Sequence, residues 1–371
     1  MNFEIDSKQL LKSVAPLARV INTKSPIQIL TDFMFKVNES GVFAMASNAD
    51  CAVNLRLPDA QPIQYGKCCV DSKFVMDMLR KSKSVVMSVE AIKEGEVTFS
   101  HLFGEYSIPG HNVTDYPQFA TVDDSAQGFR IDSRSLSRGL NSVLMATSDN
   151  AVRPVMCCVY MDIYEDKVVF VASDTHILSK FADTTIQSGL RGSLLLTAQT
   201  CRVLLGLLPE DCAVQIDFTA KRVRFKTDSF DMVASLIEGK FPDYNRVIPS
   251  ENPHKIEVDR ESFMSAIDRV SLCSGKSMNA ISLTFNDKQI TIKACDLDYS
   301  RQAVERVSCE SNCQGFTISV NAENLLRILQ PIETDKVLIT ASASERPILI
   351  SPVSDNAEDY INLSMPLMLN D

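Results

Sequence analysis

The chain has 371 residues, is 45% hydrophobic and carries a formal charge of −10. No apolar run approaches the roughly 18 residues of a membrane span, and the opening MNFEIDSKQ has no apolar signal core. An intracellular, cytoplasmic protein without membrane contact is therefore expected. The negative total argues at first sight against nucleic acid, but the distribution of charge matters more than its sum.

In chain order, one local pattern occurs six times: an apolar residue, a helix-capping residue, then apolar residues at helical spacing. The copies are Ile5-Asp6-Ser7, Val70-Asp71-Ser72, Ile131-Asp132-Ser133, Leu196-Thr197-Ala198, Val258-Asp259-Arg260 and Val320-Asn321-Ala322. The short oxygen-bearing side chains at the second position can accept from the free N–H groups of a helix's first turn. Successive caps stand 65, 61, 65, 62 and 62 residues apart, which points to repeated supersecondary units. The stronger similarity spans two caps: Phe3–Lys8 returns as Phe129–Arg134 and then as Ile256–Glu261. Later in each unit a period-two run ends in a polar turn, at Val42–Asn48, Val168–Asp174 and Gln289–Asp296. Three domains are expected, at 1–122, 126–249 and 254–371. Each would hold two strand–helix–strands halves, an α+β arrangement with helices on one sheet face.

The first helix of each domain repeats one apolar stripe: Leu10, Val14, Leu17, Ala18; Leu136, Leu140, Val143, Leu144; Phe263, Ile267, Val270, Ser271. Pro16 is expected to end or kink the first of these helices. The opposite face is basic in two domains, with Lys8 and Lys12 answered by Arg134 and Arg138. In the third domain Glu261 and Ser265 stand there instead. Charges over the six helix-plus-exit windows (7–24, 72–83, 133–148, 198–208, 260–276, 322–330) are +4, +3, +2, +1, +1 and 0, so the remainder carries −21. One basic helix face is ordinarily just solvated. Segregation of positive charge across six related helices, if they share a surface, suits a polyanion held at one place and repelled elsewhere. The candidate phosphate contacts are Lys8, Lys12, Lys24, Lys73, Arg80, Arg134, Arg138 and Arg202.

Catalytic motifs are missing. Gly275-Lys276-Ser277 lacks the earlier glycine of a P-loop, and there is no GxGxxG, HExxH or GxSxG. Ser173-Asp174-Thr175-His176 crowds a hydroxyl, an acid and an imidazole onto one turn, which suits a surface turn better than a catalytic site. The eleven cysteines contain no CxxC pair; Cys68-Cys69 and Cys157-Cys158 read as buried reduced thiols, and Cys309 and Cys313 lack partners for zinc. No catalytic residue, metal or cofactor is expected.

Three domains of paired halves, with Ala172–Leu178 (ASDTHIL), Phe241–Val247 (FPDYNRV), Arg153-Pro154-Val155 and Met365-Pro366-Leu367, resemble the bacterial DNA polymerase III beta subunit family, the sliding clamps. The resemblance covers the whole chain. It implies a non-catalytic processivity factor: a head-to-tail homodimer closing a ring, helices lining it and sheets outside, around duplex DNA without base contacts. It also implies as partners the replicative polymerase, the clamp loader and other proteins bearing clamp-binding peptides. Lys24 and Lys73 match family positions that touch DNA. Where many clamps carry Gly and Arg around the turn histidine, this chain has Thr175 and Ile177, and it runs past the usual Met-Pro end to Asp371. The rival reading, favoured by the −10 total, is a repeat scaffold that binds proteins but not DNA.

Two further sites follow from pattern and resemblance together. Tyr106 and Ile108 alternate on a candidate edge strand after Gly104, and family position puts Leu272 and Cys273 opposite them across the dimer interface. The alternative is that all four are core residues. A peptide groove is expected from three separated segments: Met156, Ser173, Thr175, His176 and Leu178; Pro242, Arg246 and Val247; Leu363, Met365, Pro366 and Leu367. Alternation also allows Leu363 and Met365 simply to finish a core strand, with Ile361 on the same face and Asn362 and Ser364 on the other.

Overall fold

The computed structural model describes all residues except 24, 92–94, 118–120, 123–125, 297, 355–359 and 369–371. Six α-helices lie among the described residues: α1 (Ser7–Ala18), α2 (Ser72–Lys81), α3 (Ser133–Leu144), α4 (Ala198–Leu207), α5 (Arg260–Ser271) and α6 (Ala322–Leu329). Each begins within one residue of an expected cap. Asp6 Oδ1 accepts from the amides of Lys8 and Gln9, at 2.8 and 3.2 Å. Asp71 accepts from Phe74, Asp132 from Arg134, Asp259 from Ser262 and Asn321 from Asn324, at 2.6–2.9 Å. Pro16 does not end α1. It sits in the last turn, Leu17 beyond it is buried, and the helix closes by bonds from Arg19 N to Pro16 O and Val20 N to Leu17 O. The ring of Pro16 removes one interior hydrogen bond, but the last turn can close through i→i+3 bonds instead.

The chain forms two compact units, residues 1–134 with 199–236, and 135–198 with 237–371. Each is built on one antiparallel sheet. In the first unit the strand order is Gln127–Asp132, Ala213–Phe218, Arg222–Lys226, Phe230–Ser235, Cys51–Arg56, Gly41–Ser47, Asp32–Asn38 and Gly66–Asp71. It continues through Gly104–His111, Glu96–His101, Val86–Glu90, Asn2–Asp6 and Gln61–Gln64. In the second the order is Gly192–Thr197, Cys158–Tyr164, Lys167–Ser173, Ile177–Asp183, Tyr360–Ser364, Ile348–Pro352, Lys336–Ala341, His254–Asp259, Arg301–Ser311, Gln289–Asp296, Ala280–Asn286 and Phe316–Asn321. Each sheet therefore continues from one sequence repeat into the next. Phe230 stands opposite Leu55 in one, and Ile177 opposite Ser364 in the other.

One sheet face and the apolar stripes of the helices make the core. Leu10, Val14 and Leu17, Leu136, Leu140 and Val143, and Phe263, Ile267 and Val270 are all buried, so the repeated stripe is the packing surface. Helices α1 and α2 pack together, as do α5 and α6. Gly139 in α3 lies so close to the Phe170 ring that a β-carbon there would collide with it. Cys68, Cys69 and Cys158 are buried, and burial pushes their thiols up to about 12, so they stay protonated. Among the described residues no group of histidine, cysteine and acidic side chains could hold a metal, and no helix is long and apolar enough to cross a membrane.

Candidate peptide groove, nucleic-acid face and open edges

In the second unit, three separated segments meet on the sheet face away from the helices. Leu178 stands opposite Leu363, and Leu363 opposite Leu349, so three leucines form a cross-strand row. Leu178 and Leu363 belong to one buried cluster with Cys158, Val169, Val171, Leu195, Phe241 and Tyr244. The segment 237–248 thus lies over the sheet, its Phe241 ring stacked on Tyr160 with centroids 4.9 Å apart. The hydroxyls of Tyr164 and Tyr244 both donate to Asp162 Oδ2, at 2.8 and 3.1 Å. Burial, then the charge of Asp162, pushes the Tyr244 hydroxyl well above its ordinary range. Tyr244 is therefore a neutral donor that pins the covering segment.

The turn beside this cluster is closely tied. Ser173 Oγ donates to Ile177 O at 2.8 Å and accepts from Thr175 N at 3.2 Å. Asp174 Oδ1 accepts from the amides of His176 and Ile177, at 2.9 and 2.8 Å. Hydroxyl and carboxylate are thus spent on building the turn, and Ser173 does not address His176 as a nucleophile would its base. Thr175 takes φ +81°, the left-handed region, at the position where many clamps carry glycine. Met365 N donates to His176 O at 2.9 Å, and Leu367 N to Ser319 O at 2.8 Å, which lays the tail beside the turn.

The expected groove residues fall into two layers. Leu178, Leu363 and Ser173 are buried, and so is Met156, in the short 3-10 helix Pro154–Cys157. Thr175, His176, Pro242, Arg246, Val247 and Met365 are exposed, with Pro366 and Leu367 half-buried. Arg246 Nε pairs with Asp243 at 2.9 Å on its own turn. The expected alternation of the tail strand is only half seen: Tyr360, Asn362, Leu363 and Ser364 are all buried, because helices lie against one face, where Tyr360 donates to Ser142 O, and the Phe241–Tyr244 cluster covers Leu363 on the other. Exposure begins at Met365. Sequence reasoning missed Val155, Phe241, Tyr244 and Ile248 as the neighbours that shape this face. The aromatic pair three apart on either side of Pro242-Asp243 was the available signal.

The basic residues divide by what holds them. Lys8 and Lys12 on α1, Lys73 on α2 and Arg202 on α4 are exposed, and their side chains make no ion pair among the described residues. Arg80 pairs with Asp77 at 3.1 Å. Arg134 pairs with Asp211 at 3.1 Å and also donates to Glu210 O. Arg138 reaches Asp183 at 3.2 Å and lies over the Phe181 ring. Burial alone would raise the Asp183 carboxyl. Hydrogen bonds from Thr185 and Ser135 and the Arg138 charge outweigh it and hold the group below 3.8. Lys24 lies outside the described residues.

Besides the strands that end each sheet, two interior strands leave most of one side open among the described residues. Gly104–His111 pairs with Glu96–His101 along one edge, and its other edge meets the sheet only through Gly110 and His111. Arg301–Ser311 pairs with Gln289–Asp296 through Ser308, and with His254–Asp259 only from Cys309 on. Tyr106 is 40% exposed and Leu272, at the end of α5, 74% exposed; Ile108 and Cys273 are half-buried. None of the four is a core residue in the single chain. Beside Tyr106 a cavity of about 560 Å³ is lined by Phe74, Met78, His101, Phe103, Lys81 and Lys83, among others. On the other open strand, Glu305 receives both Nε and Nη2 of Arg269, at 2.8 and 2.7 Å, which holds its carboxyl below the ordinary range.

Comparison with known proteins agrees with this architecture. The models of the N-terminal, central and C-terminal domains of the DNA polymerase III beta subunit match residues 1–120, 130–243 and 245–366. The beta sliding clamp of Streptococcus pneumoniae serotype 4 is 21% identical over the whole of both chains, and that of Bacillus subtilis 21% over 99% of each. The solved sliding clamp of Pseudomonas aeruginosa superposes with a TM-score of 0.90 at 23% identity, covering all of both chains. Repeated capped helices, two long antiparallel sheets and three consecutive domain matches lead to one assignment: the chain belongs to the DNA polymerase III beta subunit family, the beta sliding clamps.

Proposed function

We propose that two copies of the chain close head to tail into a ring that encircles duplex DNA and tethers the replicative polymerase, without chemistry of its own. The observation that carries the ring is the pair of open strand edges, at Gly104–Pro109 and Arg301–Ser308, with Tyr106 and Leu272 exposed near them. An unpaired edge with apolar neighbours seeks another strand, and two different edges on one chain make a heterologous contact that can close a ring. Tyr106 and Ile108 of one subunit would meet Leu272 and Cys273 of the other. The boundaries of the three domains are 1–122, 126–249 and 254–371, and the ring works in the cytoplasm.

DNA would be held through phosphates by Lys8, Lys12, Lys24, Lys73, Arg80, Arg134, Arg138 and Arg202, with no base contacts. Of the described ones, Lys8, Lys12, Lys73 and Arg202 are exposed and make no ion pair among the described residues. Weak, exchangeable attraction is what sliding requires. Polymerase, clamp loader and other partners would dock an extended peptide on the groove beside the Ser173–Leu178 turn. Thr175, His176, Pro242, Val247, Met365, Pro366 and Leu367 form its walls. Leu178, Leu363, Met156 and Ser173 lie beneath, and Arg246 fixes the polar end of the peptide. Exposed methionine lets one groove adapt to several partners.

Solution mass together with retention on DNA tests this reading. A dimer that stays on nicked circular DNA and runs off linear DNA is the expected result. A chain that binds partner peptides but is retained on neither DNA would be the scaffold that its −10 charge suggests.

A further inference from the structure

Arg327 is the residue that neither the charge count nor the resemblance singled out. It stands in the last turn of α6, half-buried, and its guanidinium joins three segments of the second unit. Nη1 donates to Asp174 Oδ2 at 3.2 Å and lies 3.4 Å from Asn324 Oδ1; Nη2 donates to Met145 O, just past the end of α3. Asp174 is thereby fully used. One of its oxygens holds the amides of His176 and Ile177, and the other holds Arg327. The peptide unit between those contacts carries Thr175 at φ +81°, a conformation a β-branched residue leaves readily unless its surroundings hold it. The same turn accepts from Met365 N through His176 O, so the tail takes its position from the turn.

We infer that Arg327 is a positioning residue for the peptide groove: it braces Asp174 from α6 and so fixes the turn and tail between which a partner peptide lies. The inference rests on the groove reading above. A planar fork is needed, because one guanidinium can address a carboxylate and a carbonyl in different directions, whereas an ammonium on a flexible stem cannot hold both in fixed geometry. The brace acts through Asp174 and does not itself touch the peptide.

The test uses the full-length chain and a fluorescently labelled synthetic peptide with adjacent Leu and Phe side chains. Arg327→Met should weaken the peptide by about tenfold, the loss that follows from one charge-assisted hydrogen bond. Retention on nicked circular DNA should not change. The amides of His176 and Ile177 should exchange faster, while protection elsewhere in the unit is kept. Arg327→Lys should recover part of the loss. Asp174→Asn, which keeps the Oδ1 contacts and loses the ion pair, should behave like Arg327→Met, and the double variant no worse than either. Truncation of residues 365–371 is the control for the groove itself. If the truncated chain has lost the peptide while Arg327→Met and Asp174→Asn both bind like the parent, Arg327 is not a brace. If the truncated chain still binds, the groove reading falls and the inference with it. Loss of affinity with uniformly lower amide protection would make Arg327 a plain stability residue and overturn the proposal. Should Arg327→Met fail to fold, Asp174→Asn alone decides by the same two readouts.

Discussion

Thr175 carries a β-branched side chain in the left-handed region, where a side chain costs about 1–2 kcal/mol and glycine almost nothing. The resemblance marked the position, since many clamps have glycine there, but only the backbone angle gives the reason. Thr175→Gly should raise unfolding stability by about 0.5–1 kcal/mol, the strain relieved less the added freedom of the unfolded chain; an unchanged denaturation midpoint would mean that the turn relaxes around threonine at no cost. Asp183 lies at the opposite extreme of legibility. Nothing in the pattern of Arg134 and Arg138 announced that Arg138 is tied to a carboxylate whose side chain is 1% exposed. The folded pKa of Asp183 is held below its ordinary 3.8, so its contribution is present above that pH and is lost as pH falls through the folded value. The stability gap between the parent and Asp183→Asn should therefore be widest near neutrality and narrow below about pH 4, as followed by urea unfolding at several pH values. The same pairing makes Arg138 a poor choice for charge reversal, because Arg138→Glu would set a second carboxylate against the buried one.

At the level of elements, periodicity read the helices well. Five caps hydrogen-bond as their residue types require, and the stripes of α1, α3 and α5 face the core. Pro16 stops the helix later than expected: α1 runs two residues past it, to Ala18, and closes by i→i+3 bonds onto Pro16 O and Leu17 O. The tail strand was less legible. Alternation assumes one buried and one wet face, whereas Tyr360–Ser364 is an interior strand with both faces covered. The strand divides along the chain, with Leu363 in the core and Met365 exposed. Removing residues 365–371 should accordingly leave a folded chain on DNA that no longer binds polymerase or clamp-loader peptides. Leu363→Ala should instead destabilise by about 2–5 kcal/mol, seen as an earlier thermal transition. Which side chains would surround a docked peptide could not be read from one segment, because Val155, Phe241, Tyr244 and Ile248 converge only when 237–248 folds back over the sheet.

For the molecule as a whole, the total charge of −10 pointed away from the family to which the chain belongs. Lys12 and Lys73 are exposed and free of ion pairs among the described residues. Reversing both to Glu should weaken retention on DNA, and in a two-copy ring the slope of log affinity against log salt should fall by about four, close to one unit for each phosphate no longer neutralised. An unaltered slope would reassign the face. Tyr106→Ala with Leu272→Ala should give folded monomers, and a dimer persisting at sub-micromolar concentration would place the closure elsewhere. The two long sheets bear on how the chain can be taken apart. Three consecutive sequence matches invite excision of the central one, but residues 130–243 take part in both sheets, with Phe230–Ser235 seated against Cys51–Arg56 and Ile177–Asp183 against Tyr360–Ser364. Cut out alone, that piece would present two raw edges at once, so a fragment that inheritance copied as a module would be insoluble in a test tube, and sedimentation of the excised segment would tell. The three matched segments and the two compact units are offset by half a repeat.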